Sequence, residues 1–349
     1  MVKTKSGFFQ NFTVNTAGYL PWLLPLIALL TFISSWAGMY APPIVEHRYA
    51  HGIFPKISSV AAGFADAVSF SWLDVVIPAG AGILIGLVRK RQWQALLNTT
   101  AALYLLFFWT WGLNYHRLPL ASRLQLEAAR MQPAGISELA RQAAGQMNRL
   151  YRKRQGRAYD DERIRAEAVR RVGRVVEVID GSVWRSAERI KTSFLANPWL
   201  HAAGIDGLFN PFGQEPVISS SLLDVEKPFV IAHELAHGRG YPDEGDANVI
   251  AVLATLMSAD PDLQYSGWLS LWLYLRSHDL DTLLDAGPQR DIERIFQRVR
   301  TEEIHWITDF QQGLFDWFLK ANSVDEGVRS YSRVVLLAAG SEPFWPRFQ

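Results

Sequence analysis

Apolar residues follow two patterns along this chain, and the change comes near residue 117. Up to Tyr115 they form long unbroken runs, whereas beyond it they recur at helical spacing among arginines and glutamates. The first run, Leu20 to Ala41 (LPWLLPLIALLTFISSWAGMYA), lies in a stretch without charge between Lys5 and Glu46. It exceeds the roughly 20 residues that a bilayer-crossing helix needs, and it is too long and too closely followed by further runs for a cleaved signal. The second, about Val75 to Val88, is shorter and rich in Gly and Ala (PAGAGILIGL), which suits close helix packing in lipid, and stops at Arg89-Lys90-Arg91. The third, Trp93 to Tyr115, carries no charge and places Trp93, Trp109 and Trp111 near its ends, where indole rings favour a membrane interface. The pattern predicts a mainly α protein: an anchor over residues 1–117 with three transmembrane helices at about 20–41, 72–88 and 93–115, then a separate domain over 118–349.

The basic turn Arg89 to Arg91 reads as cytoplasmic, on the same side as Lys3 and Lys5. An odd number of spans then delivers the second region to the other face, so the expected location is a bacterial inner membrane with an extracytoplasmic domain. The segment Pro42 to Ser71 is too polar to span and reads as an outer surface loop. Its His47 and His51 are four apart, but no third ligand stands near them in sequence.

In the second region, Ser137 to Arg154 and Asp160 to Val178 read as amphipathic helices, the first opened by a capping Ser137. The arginines between Arg149 and Arg174 read as a solvated helix face. Gly, Pro and β-forming residues from Gly204 to Ser220 predict a turn and a short strand over Pro216 to Ser219, whose edge is a candidate for pairing with an extended peptide. The apolar segment Trp268 to Leu273 reads as core. No internal repeat or low-complexity stretch is present.

Composition narrows the chemistry. A formal net charge of +1 gives no reason to expect nucleic acid as a partner. With no cysteine among 349 residues, only His and carboxylate remain as metal ligands. A hydrophobic content of 49% with 13 tryptophans agrees with lipid contact.

The residues that carry chemistry are His233-Glu234-Leu235-Ala236-His237. Pro228 suits the first turn of a helix running from Phe229 towards Arg239, and Gly238 and Gly240 end it. Residues i and i+4 share a helical face, so His233 and His237 can meet one ion, with Zn2+ the natural candidate. Glu234 is rotated away from the metal and remains available as a general base towards a water. A catalytic zinc site needs a third protein ligand, and three carboxylates follow: Asp243, Glu244 and Asp246. Glu244 is preferred because it opens the next apolar helix, with Asn248 one turn on; Asn248 and Asp246 are candidates to hydrogen-bond a ligand histidine. Asp243 stands where a HExxHxxGxxD pattern would place its ligand. Tyr331, ahead of Tyr265 and Arg333, is a candidate donor to a tetrahedral oxyanion.

The stretch HELAHGRGYPDEGDANVIA resembles the HExxH-plus-Glu arrangement of gluzincin metallopeptidases. Its Glu244-Gly245-Asp246-Ala247-Asn248 looks like the ExxAD/ExxAN ligand helix of the membrane-bound CAAX-prenyl-protease and heat-shock-protease group, although only six residues separate His237 from Glu244 where those proteins carry a long insertion. Along nearly its whole length the chain is also similar to an uncharacterised bacterial family of membrane proteins, in PPIVEHRYAHGIFPKIS, WGLNYHRLPL, HELAHGRGYPDE and ANSVDEGVRSYSRVV. The resemblance implies a mostly helical zincin-like domain with a small β element behind the anchor. The expected activity is hydrolysis of peptide bonds by a metal-activated water, with the lipid bilayer and a peptide or protein substrate as partners. Two readings stand beside it: a non-catalytic membrane metal-binding sensor or scaffold, and a hydrolase of amides or esters in the cell envelope.

Overall fold

A computed structural model describes residues 20–275, 281–321 and 331–349. Three apolar helices appear near the start: α1 (Leu20–Trp36), α4 (Leu73–Arg89) and α5 (Trp93–Thr110). Between α1 and α4 runs a continuous helical segment made of α2 (Pro42–Ile44), a π-helix (Val45–Ile53) and α3 (Phe54–Ala67). The second region holds α6 (Pro133–Arg154), α7 (Asp161–Asp180), α8 (Asn197–Ala203), the strands β1 (Gly207–Asn210) and β2 (Glu215–Ile218), α9 (Lys227–Gly238), α10 (Glu244–Leu256), α11 (Pro261–Leu275), α12 (Ala286–Glu302), α13 (His305–Ala321) and α14 (Tyr331–Ser341). The expectation of a mainly helical chain with a small β element holds.

The first and third expected membrane spans are shorter than the sequence pattern suggested, and the second has its expected length. α1 has 17 residues, because the chain turns at Gly38 with φ +64° and Pro42 follows. α4 also has 17, and α5 has 18 but carries Gln94, Asn98, Thr99 and Thr100 in its first half. Among the described residues no helix is long and apolar enough to cross a membrane. Their surfaces are nevertheless apolar outward: Leu23, Leu26, Leu30 and Ile33 of α1, Ile83 and Ile85 of α4, and Leu103 and Leu106 of α5 are exposed. Lys3 and Lys5, used for orientation, lie outside the described residues.

Pro42 to Ser71 is not a surface loop. It is helical, and Val45, Tyr49 and Phe54 are buried in the same core as the second region, because one helical face is apolar enough to join it. That core centres on α10, whose residues Gly245 to Leu256 are all buried; a helix apolar all round must be covered on every side. α9, α7, α11 and α14 provide the cover. The segment Trp268 to Leu273 is largely core, as expected, with Trp268 against Trp345 at 5.7 Å.

Local rules place most boundaries. Asp160 caps α7 by accepting from the backbone N–H groups of Glu162 and Arg163, and Gly181 ends it at φ +71°. Along α6 and α7, Arg152, Arg170 and Arg174 are exposed, in line with a solvated face. Ser137 does not cap α6: Pro133 starts that helix a turn earlier, and the Ser137 hydroxyl donates back to Pro133 O at 2.8 Å. β1 and β2 pair antiparallel, and a parallel bridge from Lys191 occupies the outer side of β2. The peptide-binding edge expected on Pro216 to Ser219 is therefore taken: Lys191 N donates to Pro216 O at 3.1 Å and Ile218 N to Lys191 O at 2.9 Å. Among the described residues β1 pairs with β2 alone.

Candidate metal centre

α9 starts with Pro228 in its first turn, where a missing N–H costs nothing, and ends at Gly238. The chain then reverses through Arg239 to Asp243. Gly240 makes this possible, with φ +78° and so little room that a Cβ would stand 2.8 Å from the Phe54 ring. Asp243 caps α10 by accepting from Asp246 N at 2.9 Å. The two helices form a short hairpin that brings His233, His237 and Glu244 face to face.

Their ligand atoms converge. His233 Nε2 and His237 Nε2 are 3.0 Å apart, Glu244 Oε2 is 3.1 Å from His233 Nε2, and Glu244 Oε1 is 3.7 Å from His237 Nε2. Ligand bonds of about 2.0–2.1 Å in a tetrahedral zinc site put donor atoms roughly 3.3 Å apart, so these spacings fit the ion without rearrangement of the backbone. Among the described residues no Lys or Arg pairs with Glu244 or Glu234, so the imidazoles of His233 and His237 are the basic groups beside them.

The charges respond to one another. Burial opposes ionisation of Glu244, but the neighbouring His237 and His233 outweigh it and hold the carboxyl well below the usual carboxylate range. Burial also disfavours a charged His237, yet Glu244 pushes its pKa up to about 9. Glu234 lies beside the pair on α9, 2% exposed, with no hydrogen-bond partner at Oε2 among the described residues. Burial, only partly offset by the two imidazoles, pushes it up to about 7. Gly207 at the start of β1 packs directly on it: a Cβ there would stand 2.5 Å from Glu234 Oε1.

The competing carboxylates are occupied elsewhere. Asp243 is the α10 cap and accepts from Arg333, and Asp246 accepts from Arg333 Nη2 at 3.0 Å and from Leu120 N at 3.3 Å. Among the described residues neither Asp246 nor Asn248 hydrogen-bonds a ligand imidazole. The acceptor for His237 Nδ1 is instead the Tyr241 carbonyl at 2.7 Å, a backbone group that no side-chain pattern could reveal. The Asn248 amide nitrogen is buried, without a hydrogen bond among the described residues.

The proposed oxyanion donors fare differently. Tyr265 is committed to Asp291 Oδ2 at 2.7 Å, and Arg333 is committed to the two aspartates. Tyr331 is the first residue of α14, and its side chain lies outside the described residues, as do residues 322–330 of the ANSVDEGVRSYSRVV stretch. Two tyrosines not singled out from sequence do lie within electrostatic reach of Glu244. Tyr115 and Tyr274 are raised above the ordinary tyrosine range, first by burial and then by the charge of Glu244.

A second cluster of similar composition sits on the far side of the hairpin. His51 Nε2 is 3.1 Å from Glu46 Oε1 and 4.0 Å from Asp180 Oδ2. Here, however, Arg117 Nη2 reaches Glu46 at 2.6 Å and Asp180 at 3.1 Å, and Arg123 Nη1 reaches Asp180 at 2.6 Å. Two guanidinium groups already supply the positive charge that a metal would bring, so this cluster is an ion-pair network. His47 takes no part in it.

The fold and the cluster together define a mainly helical protein built around a HExxH helix closed by a glutamate from the next helix. The chain belongs to the family described as a protein of unknown function, DUF3810, whose profile matches residues 49–339. No curated protein and no solved structure matches it.

Proposed function

We propose that this chain is a membrane-anchored zinc-dependent peptidase of gluzincin type. The observation that carries the reading is the convergence of His233 Nε2, His237 Nε2 and Glu244 within 3.0 to 3.7 Å, beside a buried carboxylate whose Oε2 has no hydrogen-bond partner among the described residues. His233, His237 and Glu244 would hold the ion. When bound, zinc supplies Lewis acidity towards a water and a substrate carbonyl. Glu234, with its pKa raised to about 7, is suited to accept a proton at Oε2 near neutral pH and to return it to the leaving amine. Tyr115 and Tyr274 keep their protons at that pH, and their hydroxyls are candidates to donate to a developing oxyanion. An extended peptide can lie along β1, whose Gly207 touches Glu234.

The anchor belongs to the same reading. At about 1.5 Å per residue, α1, α4 and α5 are roughly 26 Å long, a few ångströms short of a hydrocarbon core of about 30 Å, so the reading requires a locally thinned bilayer or flanking residues that complete the spans. Their exposed Leu, Ile and Trp side chains support immersion in lipid, with the Arg89 to Arg91 turn on the cytoplasmic side of a bacterial inner membrane and the HExxH domain outside.

The test is Glu234→Gln in the full-length protein, assayed against a quenched-fluorescence peptide library. Metal content should match wild type while turnover falls by on the order of 10²–10⁴-fold, the usual contribution of a general base. Unchanged turnover would refute the role of Glu234. A variant that keeps the biological role of the protein would favour the sensor or scaffold.

A further inference from the structure

Glu46, Arg117 and Asp180 have no part in the chemistry above, yet their contacts end on Gly240 and Tyr241, in the turn that follows a ligand histidine. We propose that they are positioning residues for His237, acting through Tyr241; the proposal rests on the metal-site reading. His237 Nδ1 stands 2.7 Å from the Tyr241 carbonyl, which can only accept, so Nδ1 is the donor and Nε2 is left to face His233 and Glu244. The direction of the ring therefore depends on where Tyr241 is held.

Tyr241 is held from several sides. Its phenol donates to Asp180 Oδ1 at 2.7 Å, and the Arg117 and Arg123 guanidinium groups lie 4.6 and 5.0 Å from its ring centroid. Arg117 Nη1 also donates to Gly240 O at 2.9 Å, fixing the preceding peptide. Arg117 is fixed in turn by Glu46, through Nε to Oε2 at 3.1 Å and Nη2 to Oε1 at 2.6 Å, a fork that a lysine could not make. Glu46 further accepts from Leu118 N at 3.1 Å. Glu46 sits on the π-helix between α1 and α4, a rare element that is enriched at functional sites. The chain of contacts thus runs from the anchor side of the molecule to a ring nitrogen of His237.

Burial alone does not distinguish positioning from ordinary stabilisation, but a second ion pair provides the contrast. The Lys191 and Glu215 side chains are fully buried and 2.8 Å apart, and Glu215 also accepts from Ser71 and Asn210, away from the α9–α10 turn. Loss of that pair should lower stability and leave the ligand geometry alone.

The experiment uses full-length protein in detergent loaded with Co2+. Affinity is read by chelator competition, and ligand geometry by the visible d–d bands. Glu46→Gln is expected to weaken Co2+ binding by on the order of ten-fold or more and to change the bands, with a smaller effect in the same direction for Tyr241→Phe, which keeps the carbonyl. Glu215→Gln should lower the melting temperature with affinity and bands unchanged. If Glu46→Gln fails to fold, the folded Tyr241→Phe variant decides. Wild-type affinity and spectrum in both Glu46→Gln and Tyr241→Phe, or an equal loss in Glu215→Gln, would overturn the positioning role while the metal site stands. A wild-type chain that binds no Co2+ would instead remove the metal reading, and this inference with it.

Discussion

Two clusters of histidine and carboxylate lie on either side of the α9–α10 turn, and they differ in one respect. In both, one ligand atom from each of three residues lies within 4.8 Å of the others. Around Glu46, His51 and Asp180, Arg117 and Arg123 already balance the negative charge; around His233, His237 and Glu244, no described Lys or Arg does so. Spacing and residue type therefore do not suffice to define a metal site. What separates the two is the source of positive charge: guanidinium groups in one, only the ligand imidazoles in the other.

The sharpest way to break this comparison is to remove the internal charge. Arg117→Met leaves Glu46 and Asp180 buried beside a neutral side chain and should destabilise the fold by about 3–5 kcal/mol, the usual cost of stripping one partner from a buried pair. Denaturant unfolding measures it. A change below about 1 kcal/mol would mean that the network is solvated and comparable to surface pairs.

A gentler perturbation probes the other cluster. Gly207→Ala would press a methyl group onto Glu234 Oε1, which lies 2.5 Å from the ideal Cβ position. Metal content should stay unchanged while turnover drops by on the order of 10-fold to 100-fold, because a displaced base is poorly aligned. Loss of metal in this variant would show that Gly207 supports the ligands instead.

The smallest expected effect concerns pH. In the metal-free chain His237 titrates at about 9, above its ordinary 6.5, because Glu244 outweighs burial. A raised folded value means that its contribution to stability is complete below about pH 6.5 and is lost as pH rises through 9. The melting temperature of the metal-free protein should fall across that window. His237→Ala should flatten the profile.

The sequence revealed the chemistry-bearing side chains better than their surroundings. His233, Glu234 and His237 follow from helical periodicity, and Glu244 from its position at the head of an apolar helix. Tyr241 as a hydrogen-bond partner was not legible, because its acceptor is a backbone carbonyl. Glu46 and Arg117 were also out of reach, since their pairing spans 71 positions and is set by tertiary packing. The charged segment Pro42 to Ser71 looked solvent-exposed for the same reason: polarity was read without the partners that neutralise it. The first and third membrane spans were overestimated because their apolar runs continue past Trp36 and Thr110, where the helices stop.

The most direct test of the central claim is metal content by mass spectrometry of the full-length protein beside His237→Ala and His51→Ala. The account predicts about one zinc per chain in the wild type, retained in His51→Ala and lost in His237→Ala, since a single catalytic site with three protein ligands is expected. A wild type without metal, or zinc lost from His51→Ala and kept by His237→Ala, would contradict it.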